Sequence, residues 1–296
     1  MRYLTLLLIT LAVFSCEDPV TLQSRFVGPE LVVDAWLNTL SEDQTIRLTL
    51  SQDYYDNRLP DPVTDAQVVV CQTENQQPTN VCFVFDHRGD GNYVWSPAPG
   101  ETLGEVGTEF GLGIQRGERQ YAALTTVARP AIIDSLSFQF EEASLGLDEG
   151  FYAQIYARDQ VGEGDAYWIR STFNDTLLLR PAEFNLAFDA TFSPGTGTDG
   201  VTFIFPLRVS VNRLNDSGSP QPVEPGDKIA VEIQSLTPQA YLYLRIVNEQ
   251  INNGQSGLFD LPVANSPGNV IALDDDDSVL GYFNVSATTR IERVRE

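Results

Sequence analysis

Alternation of apolar and polar residues marks the chain after residue 30. Between positions 45 and 50, Ile46, Leu48 and Leu50 are apolar and the residues between them are polar, a period of two that predicts a strand with one buried face. Similar short runs, bracketed by Gly, Pro, Asn and Asp, recur with no helical pattern between them. They span residues 31–37, 66–71, 81–85, 93–95, 111–114 and 121–127. Strands spaced in this way predict an Ig-like antiparallel β-sandwich over residues 30–133.

A second β-rich region is predicted over residues 134–296, so that the whole fold is mostly β. Its candidate strands span residues 137–141, 152–158, 166–173, 202–211 and 228–235. One amphipathic helix is predicted at about 238–253, because Thr237 can cap it, Pro238 suits its first turn and Asn253-Gly254 is a stop signal. We expect its apolar stripe to pack on a sheet rather than to enter a partner's groove. The stripe comprises Ala240, Tyr243, Leu244, Val247 and Ile251.

The amino terminus carries a targeting signal. Arg2 precedes an apolar run, residues 4–14, that is too short to span a bilayer, which needs about 20 residues. The segment Val13-Phe14-Ser15-Cys16 follows the pattern of a bacterial lipobox, in which the cysteine is acylated. We therefore expect residues 1–15 to be a lipoprotein signal peptide, Cys16 to be lipidated and residues 16–29 to be a tether. The alternative is an ordinary secreted protein that is cleaved near Ser15.

Charge narrows the range of partners. The 296 residues include 41 acidic and 18 basic side chains, with a formal net charge of −23, and Lys228 is the only lysine. Such a surface repels phosphate backbones, so we expect no nucleic-acid partner. No apolar run after the signal is long enough to span a membrane. Membrane contact is therefore expected through the lipid, which gains about 0.8 kcal/mol per buried CH₂.

Two cysteines remain after Cys16. Cys71 and Cys82 lie in β-branched and aromatic runs on either side of a polar, proline-containing loop, residues 72–80, which predicts a hairpin with the cysteines opposed near its mouth. In an oxidising compartment we expect them to form a disulfide. Two buried free thiols are the alternative. A metal pair fits less well, because the chain has one histidine.

Signals for catalysis are weak. His87, the single histidine, falls in a predicted turn without a nearby nucleophile, and the sequence has no G-x-S-x-G motif. Glycosidases need two carboxylates, but a chain with this many acidic residues meets that requirement whether or not it is a glycosidase.

The run Asp274–Asp277 favours a solvated loop over a calcium site, because adjacent side chains alternate in direction. We expect no enzyme activity, no cofactor and no metal ion, and the sequence assigns no ligand-binding residue.

Several segments together resemble the DUF4249 family of Bacteroidota lipoproteins. They are residues 31–37 (LVVDAWL), 62–68 (PVTDAQV), 91–93 (GNY), 133–136 (IDSL), 157–168 (ARDQVGEGDAYW) and 281–286 (GYFNVS). The resemblance implies an outer-membrane lipoprotein, and members of the family are commonly encoded beside TonB-dependent transporters. Glu17 and Asp18, directly after the cysteine, resemble the acidic signal that exports such lipoproteins to the cell surface. A periplasm-facing orientation is the alternative.

These patterns lead to one expected function and two alternatives. We expect an outer-membrane, surface-exposed lipoprotein that is the accessory partner of a TonB-dependent transporter in nutrient capture or uptake. A stand-alone glycan-binding or adhesion lipoprotein is the alternative, and a hydrolase is a weaker one.

Overall fold

The computed structural model describes residues 28–53, 56–192, 194–195, 197–252, 266–274 and 278–296. The predicted signal peptide, the lipidation site Cys16 and the export signal of Glu17 and Asp18 lie outside these residues, as do the helix stop at 253–254 and residues 275–277 of the acidic run. Strands dominate the described chain, so the prediction of a mostly β fold is confirmed. No helix among the described residues is long and apolar enough to cross a membrane.

The described residues form sixteen strands, two α-helices and one short 3-10 helix. The strands are β1 (Leu31–Asn38), β2 (Gln44–Leu50), β3 (Ala66–Glu74), β4 (Gln77–Gly89), β5 (Asn92–Trp95), β6 (Glu109–Arg116), β7 (Arg119–Thr126), β8 (Ile132–Glu141), β9 (Gly150–Arg158), β10 (Ala166–Phe173), β11 (Thr176–Leu177), β12 (Asn185–Phe188), β13 (Lys228–Leu236), β14 (Ile271–Ala272), β15 (Val279–Ser286) and β16 (Thr288–Val294). The α-helices are α1 (Phe205–Val209) and α2 (Pro238–Ile251), and the 3-10 helix spans Pro181–Glu183.

Nine strands form the first sheet, in the order β14-β7-β6-β3-β4-β5-β2-β1-β15. The sheet folds over on itself at β4, which pairs with β3 along its first part and with β5 near its end. Alternate residues of the strands face the core between the two halves, as the period of two predicts. Thr49 is buried although it was expected to face outward into solvent, and its backbone bridges to Pro62 of the following loop. The core includes Leu31, Val33, Ala35, Leu37, Ile46, Leu48, Phe83, Phe85, Phe110 and Phe283.

The side chain of Asn269 links β7 and β15 and nearly closes the first sheet. Its amide nitrogen donates to the carbonyl oxygens of Leu124 on β7 (3.2 Å) and Phe283 on β15 (2.8 Å). Its amide oxygen accepts a bond of 2.8 Å from the backbone N–H of Phe283. These bonds satisfy backbone groups of the edge strand β15 and of β7 at Leu124, beyond the short pairing of β7 with β14.

One edge of this sheet departs from the expected antiparallel pattern, because β15 pairs with β1 in parallel. The register places Gly281 opposite Val33. A Cβ atom on Gly281 would lie 1.9 Å from the carbonyl oxygen of Val33, and the φ angle of Gly281 is +104°. Only glycine fits this position, since it has no Cβ and tolerates a positive φ.

The remaining strands form a five-stranded sheet and a separate pair. The order is β11-β10-β13-β16, with β12 also paired to β10, while β8 pairs with β9. The predicted strand over residues 202–211 is wrong, because α1 occupies residues 205–209. Pro206 lies in its first turn, where the fixed φ of proline suits a helix and the missing N–H is not needed.

The predicted amphipathic helix is confirmed as α2. Thr237 accepts a hydrogen bond of 3.1 Å from the backbone N–H of Ala240, as expected of an N-cap. Ala240 and Leu244 of the predicted stripe are buried, whereas Ile251 at the end is 50% exposed. The helix packs beside β10, β13 and β15.

The chain leaves the first sheet after β7 and returns to it near its end. Strands β14 and β15 belong to the first sheet, and β16 then joins the second. The region expected over residues 134–296 therefore supplies two strands to the first sheet. The carboxyl-terminal strands connect the two sheets and hold the outer face of β1 and β15 against β10, β13 and α2.

Candidate functional site

The candidate site lies between the two sheets. Asp34 and Trp36 point away from the core of the first sheet, because they alternate with the buried residues of β1. The facing side of the second sheet carries Trp168 and Arg170 on β10, opposite Gln234 and Glu232 on β13. Helix α2 adds Tyr243. The space between these elements is called the inter-sheet cleft, and its members are Asp34, Trp36, Arg47, Trp168, Arg170, Glu232, Gln234, Tyr243 and Tyr282.

Aromatic side chains form the wall of the inter-sheet cleft. Trp36 is stacked on Tyr282, with ring centroids 5.4 Å apart and ring planes 9° from parallel. Trp168 contacts Trp36 edge to face at 5.7 Å, and Tyr243 lies 6.1 Å from Trp36 and 4.8 Å from Tyr282. Arg170 lies 5.0 Å from the centre of the Trp168 ring, within the range of a cation–π contact. These rings come from four separate elements, so their packing fixes the geometry of the wall.

A cavity of about 300 Å³ opens at the rim of the cleft. Asp34, Trp36, Arg47 and Tyr243 line it together with apolar residues of the loop after β2. This volume lies at the lower end of the range of small-molecule sites. The remaining lining residues are Val32, Val33, Thr49, Leu59 and Pro60.

The carboxyl group of Asp34 has a raised pKa. Desolvation by the surrounding protein raises the pKa, and this effect exceeds the attraction of Arg47 and Arg170 and the hydrogen bond from the Trp36 indole, all of which lower it. Asp34 is nonetheless exposed to solvent. A carboxylate that is enclosed by protein and still reached by water lies in a concave site, where a ligand can contact it.

The hydroxyl group of Tyr243 is also perturbed. Burial, followed by the negative charge of Asp34 and the neighbouring Tyr282, raises the pKa of Tyr243 to about 12. The phenol therefore stays protonated across the physiological pH range. It offers the cavity a hydrogen-bond donor and acceptor beside Asp34.

Charged side chains behind the aromatic wall form a chain of ion pairs. Arg170 lies 4.0 Å from Glu232, and Glu232 lies 3.4 Å from Arg290. Gln234, one residue pair along the same face, is 1% exposed, and neither of its amide atoms has a hydrogen-bond partner among the described residues. A buried amide without a partner costs stability. The interior of the cleft thus retains unused polar groups.

A second polar cluster holds the loop between β9 and β10. The Tyr167 hydroxyl donates to Asp159 at 2.6 Å, and Arg129 pairs with Asp165 at 2.8 Å. The Oδ1 atom of Asp189 accepts from the backbone N–H groups of Gly164 and Asp165. Burial raises the pKa of both Asp159 and Asp165. Because its members bond to one another and to the loop backbone, we assign this cluster a structural role.

The predicted disulfide is confirmed. Cys71 and Cys82 are bonded and lie opposite each other on β3 and β4, with Cα atoms 4.0 Å apart. The expected loop over residues 72–80 is shorter than predicted, because the turn consists of Asn75 and Gln76, which have φ angles of 51° and 63°. Two positive φ angles are typical of a tight hairpin turn. The disulfide lies on the first sheet, outside the inter-sheet cleft.

The single histidine lies in a strand and not in the predicted turn. His87 belongs to β4, is exposed and has its ring 5.2 Å from that of Tyr93. No group of three or more His, Cys, Asp or Glu residues in the described chain is arranged to hold a metal ion.

The first sheet carries an exposed apolar row on its outer face. Cross-strand pairing aligns its members across β4, β3, β6, β7 and β14. The members of this apolar row are Val84, Val69, Gly113, Ala122 and Ile271. Val84 is 64% and Ile271 60% exposed, and a hollow of about 570 Å³ lies along this surface. Exposed apolar surface of this kind is typical of an interaction site.

Sequence patterns alone did not identify the cleft residues. Asp34 and Trp36 stood out only as part of a segment that resembles the family, although a tryptophan at an outward position of a strand is an available signal. Tyr243 was assigned to the packing stripe of the helix. Trp168 and Arg170 come from a distant strand, and only the return of β15 to β1 brings them near Asp34.

Comparison with models of protein families places the chain in a family. The model of the family described as "Domain of unknown function (DUF4249)" matches residues 17–292. The matched range contains the first sheet, all of the second sheet except the last two residues of β16, and every residue of the inter-sheet cleft. No curated protein matches the chain.

Proposed function

The chain belongs to the DUF4249 family, and we propose that it is a lipid-anchored outer-membrane protein that faces the cell exterior and captures a small nutrient. In this proposal the captured ligand occupies the inter-sheet cleft, and the protein is the accessory partner of a TonB-dependent transporter. The anchor is the lipid on Cys16, and Glu17 and Asp18 direct export to the surface.

The inter-sheet cleft is the observation that carries the proposal. It combines a solvent-accessible carboxylate of raised pKa, the guanidinium group of Arg47 and the aromatic side chains of Trp36 and Tyr243 around a cavity of about 300 Å³. Pockets that bind small molecules share this composition, in which apolar walls surround a few polar groups that set orientation. Its side chains are suited to binding, because apolar and aromatic groups lie beside a carboxylate and a guanidinium group.

The apolar row supports the presence of a protein partner. It lies on the half of the first sheet that includes β3 and β7, whereas the cleft lies on the outer face of β1 and β15. Its five aligned members are all apolar, although the chain as a whole has a net charge of −23. A transporter in contact with this row would leave the cleft open to ligand.

Co-purification from detergent-solubilised membranes tests the partnership. We expect a TonB-dependent transporter to copurify with the wild-type protein and to be lost from Val84→Glu, which places a charge in the apolar row. Leu145→Glu is the matched control, because Leu145 is fully exposed on the loop between β8 and β9 and outside the row. Purification of an isolated monomer under mild conditions would contradict the partnership. If that monomer still bound ligand, the stand-alone glycan-binding function would replace the accessory one.

A further inference from the structure

We infer that the ligand of the inter-sheet cleft is a neutral saccharide of one or two rings. This inference rests on the proposed capture function and specifies its ligand. Three properties of the cleft carry it: the balance of charge, the adjacency of donors and acceptors, and the aromatic surface of the cavity.

The charges that face the cavity favour a neutral ligand. Asp34 and Arg47 are the charged side chains that line the cavity, and they lie directly opposite each other in the β1–β2 ladder. A cationic ligand would approach the guanidinium of Arg47, and an anionic ligand would approach the carboxylate of Asp34. An apolar ligand would displace water from these charged groups without replacing its hydrogen bonds, which is unfavourable. A neutral polar ligand avoids all three penalties.

The arrangement of polar groups matches neighbouring hydroxyls. Residues opposed in an antiparallel ladder have Cα atoms about 4.5–5.5 Å apart, so the Asp34 carboxylate and the Arg47 guanidinium extend from adjacent positions. The carboxylate only accepts hydrogen bonds and the guanidinium only donates them. A hydroxyl does both, so adjacent hydroxyls of a sugar can bond to both side chains, and the Tyr243 hydroxyl can bond to a third.

The cavity also has an apolar side, which a sugar ring needs for its C–H faces. Trp36 and Tyr243 line it together with Leu59 and Pro60. A saccharide ring has a polar edge and a less polar face, and the cavity presents both kinds of surface. The volume of about 300 Å³ excludes long oligosaccharides from full enclosure.

The unpartnered amide of Gln234 and the buried Nε of Arg170 are further polar groups on the second-sheet side of the cleft.

Isothermal titration of the full mature chain tests the ligand class. The neutral arm contains glucose, galactose, mannose, xylose, maltose and cellobiose, and the other arms contain glucuronate and free amino acids. We expect saturable binding by at least one neutral saccharide and by no member of the other arms. Asp34→Asn and Arg47→Gln should each weaken binding about tenfold or more, because each removes a charge-assisted hydrogen bond.

Asp86→Asn is the matched control, since it removes one exposed carboxylate from β4 outside the cleft, and it should bind as tightly as wild type. Arg47 is an exposed strand residue, so Arg47→Gln keeps the test valid if Asp34→Asn fails to fold. Binding of glucuronate or an amino acid that is lost in both variants would overturn the saccharide assignment and leave the capture function. Absence of saturable binding in every arm would overturn both.

Discussion

Asp34 and Arg47 lie directly opposite each other on β1 and β2, and the pKa of the Asp34 carboxyl is raised in spite of this neighbour. The enclosing protein therefore destabilises the carboxylate more than the guanidinium groups stabilise it. A ligand hydroxyl that donates to Asp34 would restore part of the lost solvation. Because its pKa is raised, Asp34 is the group in the cleft whose protonation should depend most strongly on whether a ligand is bound.

We predict two opposite effects of pH at Asp34. Ligand affinity should be highest above the raised pKa and should fall as the pH decreases through it, because the protonated carboxyl is a weaker acceptor. In the unliganded protein, Asp34 binds protons more tightly in the folded than in the unfolded state. Its contribution therefore lowers the free energy of unfolding as the pH rises from the ordinary value of 3.8 through the raised pKa.

Titration calorimetry and urea unfolding between about pH 4 and pH 7 measure the two effects. In Asp34→Asn, the ligand affinity and the free energy of unfolding should both depend less on pH than they do in the wild type. In Asp86→Asn, both quantities should depend on pH as they do in the wild type. Identical pH dependence in wild type and Asp34→Asn would show that Asp34 is not the titrating group.

We predict that Gly281→Ala strongly destabilises the protein. The new Cβ would clash with the Val33 carbonyl and break the parallel β1–β15 pair that holds the cleft together. We expect a loss of at least about 3 kcal/mol in the free energy of unfolding, measured by urea denaturation. Gly218→Ala is the matched control, because Gly218 has a φ of +78° and nothing within 4 Å of its Cβ position. Gly218→Ala should lower the free energy of unfolding by about 1–2 kcal/mol. An equal decrease in the two variants would refute the steric explanation.

Reduction of the disulfide should lower stability. Cys71 and Cys82 are separated by 11 positions, and closing a loop of this size contributes about 2–4 kcal/mol, or several degrees in Tm. Calorimetry with and without reductant measures the change. The double variant Cys71→Ala/Cys82→Ala should not respond to reductant. Labelling of both cysteines as free thiols in native, unreduced protein would contradict the prediction.

Lipidation is predicted at Cys16. Cys16→Ser should abolish acyl labelling and move the protein to the soluble fraction, because the lipid is the expected membrane contact. A Cys16→Ser variant that is still labelled and membrane-bound would refute the anchor.

Exposure on the cell surface is predicted from Glu17 and Asp18. Protease treatment of intact cells should degrade the wild type, and replacement of Glu17 and Asp18 by Ala should protect the protein. Protection of the wild type would place the protein on the periplasmic side.

The strands were predictable because their signal is local. A period of two identified β2, short apolar runs bracketed by turn residues identified β1 and most later strands, and the cap at Thr237 and the proline after it identified α2. Local apolar content was misleading at residues 202–211, where Pro206 favours a helical turn over a central strand. The facing positions of Cys71 and Cys82 followed from hairpin symmetry, although the short turn at Asn75 and Gln76 did not.

The cleft could not be predicted because its residues meet through long-range pairing. Trp36 and Tyr282 are far apart in the sequence and stack only because β15 returns to pair with β1. Nothing in the local pattern around residue 282 indicates which strand it joins. The raised pKa of Asp34 likewise depends on walls supplied by other elements, which a sequence pattern does not contain.

The most direct test of ligand capture uses the three tryptophans as local reporters. Trp36 and Trp168 lie in the cleft, whereas Trp95 packs on Phe83 in the first sheet and is a built-in control. In protein labelled with 5-fluorotryptophan and assigned by Trp→Phe variants, fluorine NMR should show the Trp36 signal shifting to saturation during titration with the neutral saccharides, while the Trp95 signal stays fixed. A ligand that saturates the protein without moving the Trp36 signal, or a titration in which no saccharide moves it, would contradict capture in the inter-sheet cleft.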